Sequence, residues 1–157
     1  MKLFRFGTVG KERPGVIGPD GVMLDVSGFG EDYNEAFFEG DGLHRLWNWF
    51  RTYKTECPVV EVGTRLGSPI CRPSKVLCVG LNYARHAKET GVEPPSQPII
   101  FMKSTSSLVG PNDNLIIPKN STKTDWEVEL AVVIQKKASY VSEDDAMNFV
   151  AGYVLHN

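Results

Sequence analysis

Apolar positions recur along this chain in two rhythms, alternation for strands and a spacing of three to four for helices. Leu3-Phe4-Arg5-Phe6 predicts a short strand. Gly15-Val16-Ile17 and Val22-Met23-Leu24-Asp25-Val26, joined by the turn residues Pro19-Asp20-Gly21, predict a hairpin. After Gly40-Asp41-Gly42, the residues Leu43, Leu46, Trp47 and Phe50 fall at i, i+3, i+4 and i+7 and predict a helix packed on that stripe, with His44 off it. Between Gly63 and Lys75 lie two glycines, two prolines and two serines without periodicity. That stretch divides a small β-rich N-terminal domain, residues 1–70, from a second domain, residues 74–157.

The second domain opens on Lys75-Val76-Leu77-Cys78-Val79-Gly80, a run that predicts a buried strand. A short helix over 82–89 is expected between Gly80 and Gly91, with Asn82 as its cap. Strands are expected at Ile99–Lys103, Leu115–Ile117 and Gly152–Asn157, and a helix from Ser142 with Ala146, Phe149 and Val150 inward. The segment Asp125–Ile134 is the chemically odd one. Read as a buried strand, it places Glu127, Glu129 and Ala131 on one face and Trp126, Val128, Leu130 and Val132 on the other. Two carboxylates ~4 Å apart repel by about 4 kcal/mol even at an effective dielectric of ~20. A proton, a cation or plain solvation of the strand end must compensate. Oxygen-only donors select a hard cation such as Mg²⁺, Mn²⁺ or Ca²⁺ over Zn²⁺.

Charge narrows the partners. With 17 basic and 19 acidic residues among 157, the formal charge is −2, and the basic residues form no patch for nucleic acid or an anionic membrane. No apolar run approaches the ~20 residues that span a bilayer, and Met1–Gly7 lacks the pattern of a secretory signal, so a cytoplasmic location is expected. Cys57, Cys71 and Cys78 are odd in number and lack Cys-x-x-Cys spacing, which argues for reduced, packed thiols.

A second constellation sits on the short helix. His86 and Glu89 are three apart, on one face. A carboxylate bound to one imidazole nitrogen raises the basicity of the other, which is how a His–Glu pair becomes a general base. The same spacing also arises by chance on exposed helices. A helix of about eight residues is marginal alone in water, and its flanking glycines and the Pro94-Pro95 loop give it the character of a lid.

Several blocks together resemble the fumarylacetoacetate hydrolase family: residues 75–86, then Phe101–Ser107, Gly110-Pro111, Thr124–Leu130 and Val150–Tyr153. Met1–Gly7 resembles more loosely the bacterial branch of ureidoglycolate lyase and 2,4-diketo-3-deoxy-L-fuconate hydrolase. The resemblance implies an α+β, β-rich fold: a β-sandwich roll, incomplete here, behind the small N-terminal β-rich domain. It also implies a Mg²⁺ or Mn²⁺ site with Glu127 and Glu129 as ligands. His86 and Glu89 match the family's catalytic dyad, and Lys103 matches a supporting or substrate-facing lysine, although a strand-end lysine in water fits the sequence equally. The implied activity is metal-dependent C–C hydrolysis of a small 2,4-dioxo carboxylate of the acylpyruvate type, by a homodimer. Ureidoglycolate lyase, oxaloacetate decarboxylase or tautomerase chemistry on the same site, and a non-catalytic carboxylate-binding or assembly module, are the alternatives. The family's third ligand is an aspartate directly after the position of Asn157, where this chain stops, so the expectation is a sequence cut before that ligand. Leu81 departs from branches that carry Arg there.

Overall fold

A computed structural model describes all of residues 1–157. The chain divides into two compact units, Met1–Cys71 with Val109–Asn157, and Arg72–Leu108. It is an α+β chain of eight strands and three short α-helices.

In the first unit, β1 (Lys2–Phe6), β2 (Arg13–Ile17), β3 (Met23–Asp25) and β4 (Leu66–Gly67) form an antiparallel sheet in the order β3-β2-β1-β4. The β2–β3 turn closes as its residues dictate. Gly21 takes φ +81, Asp20 Oδ1 accepts from the Val22 N–H at 3.1 Å, and the Gly18 N–H donates to the Val22 carbonyl at 2.8 Å. Helices α1 (Glu35–Glu39) and α2 (Gly42–Tyr53) cover one face of the sheet. The core there is Val16, Leu24, Val26, Tyr33, Phe37, Leu46 and Phe50 with their neighbours. Each fully buried side chain of this size contributes about 1.5–3 kcal/mol. Phe4, Phe6 and Val60 form a second cluster.

The expected stripe on α2 needs one correction. Leu46 and Phe50 are buried, but Trp47 is 44% exposed, and Trp49 instead packs edge-on against Phe29 at 5.7 Å. Helix α1 was not expected from the pattern. It is only five residues long, and its local signal is Asn34, whose side chain accepts from the Phe37 N–H at 2.9 Å.

The rest of this unit is a hairpin of β7 (Glu129–Ile134) and β8 (Val150–His156), with Val133 and Ala151 against the core. Its other face, with Leu130, Val132, Ile134, Tyr153 and Leu155, is largely exposed, so this strand is not buried as its apolar run predicted. Residues 115–117 form no strand. The helix expected from Ser142 is replaced by successive i to i+3 turns leading into a 3₁₀ turn at Ala146–Phe149, where Glu143, Asp144 and Asp145 crowd like charges together.

The second unit is simpler. Strands β5 (Val76–Gly80) and β6 (Ile99–Lys103) pair antiparallel, from Val76 against Lys103 to Gly80 against Ile99, with α3 (Ala84–Glu89) between them in sequence. Leu77 and Val79 are exposed, again because a two-stranded ladder has a face that nothing in the unit covers.

Candidate functional site

The acidic pair sits at the head of the β7–β8 ladder. Glu129 is the first residue of β7, half-buried, and stands opposite His156 of β8 in register. Directly paired residues on antiparallel strands have Cβ atoms about 4.5–5.5 Å apart on one face. Glu127 lies just outside the strand and is exposed, so the expected continuous strand from residue 125 begins four residues later. The reason is local. The Glu127 N–H donates to the side-chain oxygen of Asn157 at 2.9 Å, where a ladder would have supplied a backbone carbonyl. His156 was not among the residues singled out from the sequence. The pairing of β8 with the acidic strand was the signal, and it needs a register that alternation alone does not supply.

His86 and Glu89 both lie on α3, exposed and one turn apart, and no hydrogen bond joins them. The helix is Ala84–Glu89, two residues shorter at its start than expected, and its cap is Tyr83 in extended conformation rather than Asn82. Its end is well built. Gly91 takes φ +69, the Val92 N–H reaches the Ala87 carbonyl at 3.0 Å, and the Gly91 N–H reaches the Lys88 carbonyl at 3.2 Å. This is the paired 6→1 and 5→2 closure that glycine permits. The Thr90 hydroxyl is a single donor within reach of two carbonyls, that of His86 at 3.1 Å and that of Ala87 at 2.9 Å. Before the helix, Leu81 has φ +52, a left-handed conformation that costs a non-glycine residue roughly 1–2 kcal/mol. Backbone strain of this kind collects at ligand-handling segments.

Lys103 closes β6, exposed, at the ladder end opposite Gly80, from which the chain leaves towards α3. Four ladder steps of ~3.4 Å separate it from Ile99, about 14 Å in all. The structure thus places His86 and Glu89 on one helix of one unit, and Glu127 and Glu129 at the start of β7 in the other.

No group of three or more His, Cys, Asp or Glu side chains is gathered for a metal ion. Two carboxylates are nonetheless the set on which Mg²⁺ rests when water and substrate complete its octahedron. Glu127 and Glu129 are therefore donors of the kind a hard divalent cation takes, and the two together would make up only part of its shell. A separate cleft of about 410 Å³ in the N-terminal sheet, lined by Phe6, Arg13, Asp25, Val60 and Thr64, contains none of the residues singled out from the sequence. Within it Arg13 pairs with Asp25 at 2.8 Å while lying over the Phe6 ring.

A family model described as fumarylacetoacetate (FAA) hydrolase C-terminal matches residues 75–157. Over 158 aligned residues the chain is 44% identical to the 2,4-didehydro-3-deoxy-L-rhamnonate hydrolase of Sphingomonas sp. (strain SKA58), covering all of this chain and 52% of that protein. Among solved structures it is similar to the fumarylacetoacetate hydrolase of psychrophilic Exiguobacterium antarcticum, with TM-score 0.74 and 29% identity over 99% of this chain and 54% of that one. It also shares the fold of the maleylpyruvate hydrolase of Sphingobium sp. SYK-6, solved with manganese (II) ion and pyruvate, at TM-score 0.75 and 23% identity, over 99% of this chain and 57% of that one. The chain spans about half the length of the curated relatives it matches.

Proposed function

This chain belongs to the fumarylacetoacetate hydrolase family, and we propose that it supplies the dyad and the first two metal ligands of a hydrolase that cleaves a C–C bond in a small 2,4-dioxo carboxylate. The observation that carries the reading is the pair Glu127 and Glu129 at the open head of β7, two oxygen donors held two residues apart. Mg²⁺ or Mn²⁺ bound there supplies Lewis-acid polarisation and orientation of the substrate's carboxylate and neighbouring oxygen.

The chain's own residues then divide the proton work. Glu89 orients the His86 imidazole, and the free ring nitrogen takes a proton from water. The hydroxide so formed adds to the carbonyl carbon remote from the carboxylate. Collapse breaks the adjacent C–C bond, and its electron pair leaves on the three-carbon 2-oxo fragment as an enolate. His86 returns its proton to that fragment's carbon, so one water is consumed and two acids are released. General-base assistance of this sort is worth about 10²–10⁴-fold. Lys103 is assigned a supporting or substrate-facing role in the same site.

The relative's description as a hydrolase weighs for hydrolysis over ureidoglycolate lyase, decarboxylase or tautomerase chemistry. Product analysis by NMR with acylpyruvates, ureidoglycolate and oxaloacetate separates these. The reading includes a cytoplasmic homodimer, which sedimentation addresses; no helix of the chain is long and apolar enough to cross a membrane. The deciding experiment is kinetics of His86→Ala and Glu127→Ala in the full-length protein. Turnover within a few-fold of wild type for both overturns the assignment, and a wild-type protein that takes up neither Mg²⁺ nor Mn²⁺ points to a non-catalytic module.

A further inference from the structure

The residues that flank the unit Arg72–Leu108 in sequence, 70–71 before it and 109–113 after it, are fastened within the first unit. At the entry, the Cys71 N–H donates to the Tyr33 carbonyl at 2.8 Å, and Ile70 packs on the core. At the exit, Gly110 sits so close to β4 that a Cβ would lie 1.9 Å from the Leu66 carbonyl oxygen. Arg65 then grips Asp113 with two parallel hydrogen bonds, Nε to Oδ1 at 2.7 Å and Nη2 to Oδ2 at 2.6 Å. Asp113 Oδ2 in turn accepts from the Gly110 N–H at 2.7 Å.

Arg65 is itself held on both sides. Its Nη1 donates to the Gly7 carbonyl at 2.9 Å and to Glu12 at 3.0 Å, and its own carbonyl accepts from the Gly7 N–H at 2.9 Å. Arg5 approaches Glu12 at 3.8 Å, binds Asp32 and donates to the Ser68 carbonyl at 3.4 Å on the entry side. Five charges thus alternate in sign from one stem to the other: Asp32, Arg5, Glu12, Arg65, Asp113. A forked arginine–carboxylate bond fixes direction as well as distance, which a lysine would not.

We propose that Arg65, acting through Asp113, is a positioning residue for the reaction, because it clamps the exit stem of the segment that carries His86, Glu89 and Lys103. The proposal rests on the reading that this segment holds the dyad. It assigns residues of the first unit a task in catalysis, that of holding the chain where it continues from residue 108.

The test uses the full-length protein with Asp113→Asn and with Arg65→Lys. Hydrogen exchange is followed on peptides from 72–108 and from 13–26, alongside steady-state kinetics. For Asp113→Asn the expected result is exchange about tenfold faster in 72–108, with 13–26 within about twofold, since local opening is controlled separately from global unfolding. kcat falls by about tenfold with KM within about threefold. Arg65→Lys gives a smaller change in the same direction. Faster exchange confined to 109–113, or loosening of 72–108 with unchanged kcat, overturns the proposal. Exchange is read without turnover, so a failed clamp shows as unchanged exchange, whereas a failed catalytic reading shows as an active His86→Ala variant. Should Asp113→Asn melt without a cooperative transition, Arg65→Lys carries the test.

Discussion

Arg5 holds Asp32 in a two-pronged ion pair, Nε to Oδ1 and Nη2 to Oδ2, both at 2.8 Å, across 27 residues of sequence. Arg5 is buried in the middle of β1, while the Asp32 side chain keeps 27% of its exposure. Removing the guanidinium in Arg5→Ala leaves Asp32 without its cation and Glu12 with Arg65 alone. A fully buried pair broken this way costs about 3–5 kcal/mol. The partial exposure of Asp32 places the expected loss near ~2–3 kcal/mol, read from urea denaturation midpoints.

The same pair predicts an acid limb of stability. Burial by itself would raise the Asp32 pKa, but hydrogen bonds from Arg5, the Tyr33 N–H and Cys71 outweigh it and hold the carboxyl below its ordinary value. A depressed folded pKa means that the contribution is fully present above the unfolded value of about 3.9 and is lost as pH falls through the folded one. Thermal melts from about pH 6 downward should therefore be steady until about pH 4 and then fall. In Asp32→Asn the fall should be shallower from a lower starting Tm. An unchanged slope counts against Asp32 as a principal source.

Tyr33 anchors the core through its hydroxyl, which donates to the Gly15 carbonyl at 2.9 Å from a fully buried ring. Burial, with the nearby Asp32 charge second, pushes the phenol pKa far above its ordinary value, so the group remains a donor throughout the working range. Tyr33→Phe keeps the packing with Phe37 and removes only the oxygen. The expected cost is about 1–2 kcal/mol, that of one buried acceptor losing its partner. Chemical denaturation with an unchanged m-value would report it.

Gly15 is where the sheet meets its aromatic cover. A Cβ there would lie 2.2 Å from the tip of the Phe4 ring, and Phe4 is itself buried against Phe6 at 5.6 Å. Gly15→Ala should therefore cost about 1–3 kcal/mol by overpacking. Combining it with Phe4→Leu should cost less than the sum of the two single changes, because the shorter side chain clears the added methyl.

These particulars also explain what could be read from the amino-acid order. The β2–β3 hairpin was legible because Asp20 and Gly21 specify their turn within four residues. Leu46 and Phe50 were legible because helical spacing reports one face. Trp47 and Trp49 exchanged roles because the stripe fixes a face only to within a residue, and the position of Phe29, twenty residues away, decides which indole has a neighbour. The candidate pairs His86 with Glu89 and Glu127 with Glu129 are local in sequence and so were visible. His156 beside Glu129 and Arg65 on Asp113 are not local; they depend on a register and on a 48-residue closure that no period encodes.

Asn157 supplies a last, separable prediction for the proposed metal pair. Glu129 is fixed by its ladder position, whereas Glu127 lies outside the ladder and its backbone N–H donates to the Asn157 side-chain oxygen at 2.9 Å. Glu129→Gln removes half of the ligand charge and should weaken Mn²⁺ binding by about 100-fold or more. Asn157→Ala leaves both carboxylates in place and removes only the support of one. Loss of a group that orients a metal ligand typically costs about 10–100-fold in affinity, and the exposure of Glu127 places the expected effect at the lower end, about tenfold. Titration of the full-length protein with Mn²⁺, followed by the loss of free-ion electron paramagnetic resonance signal, measures both. Equal affinities for wild type and Asn157→Ala would show that Glu127 finds its place without this bond. Equal affinities for wild type and Glu129→Gln would remove the carboxylate pair from the metal site altogether.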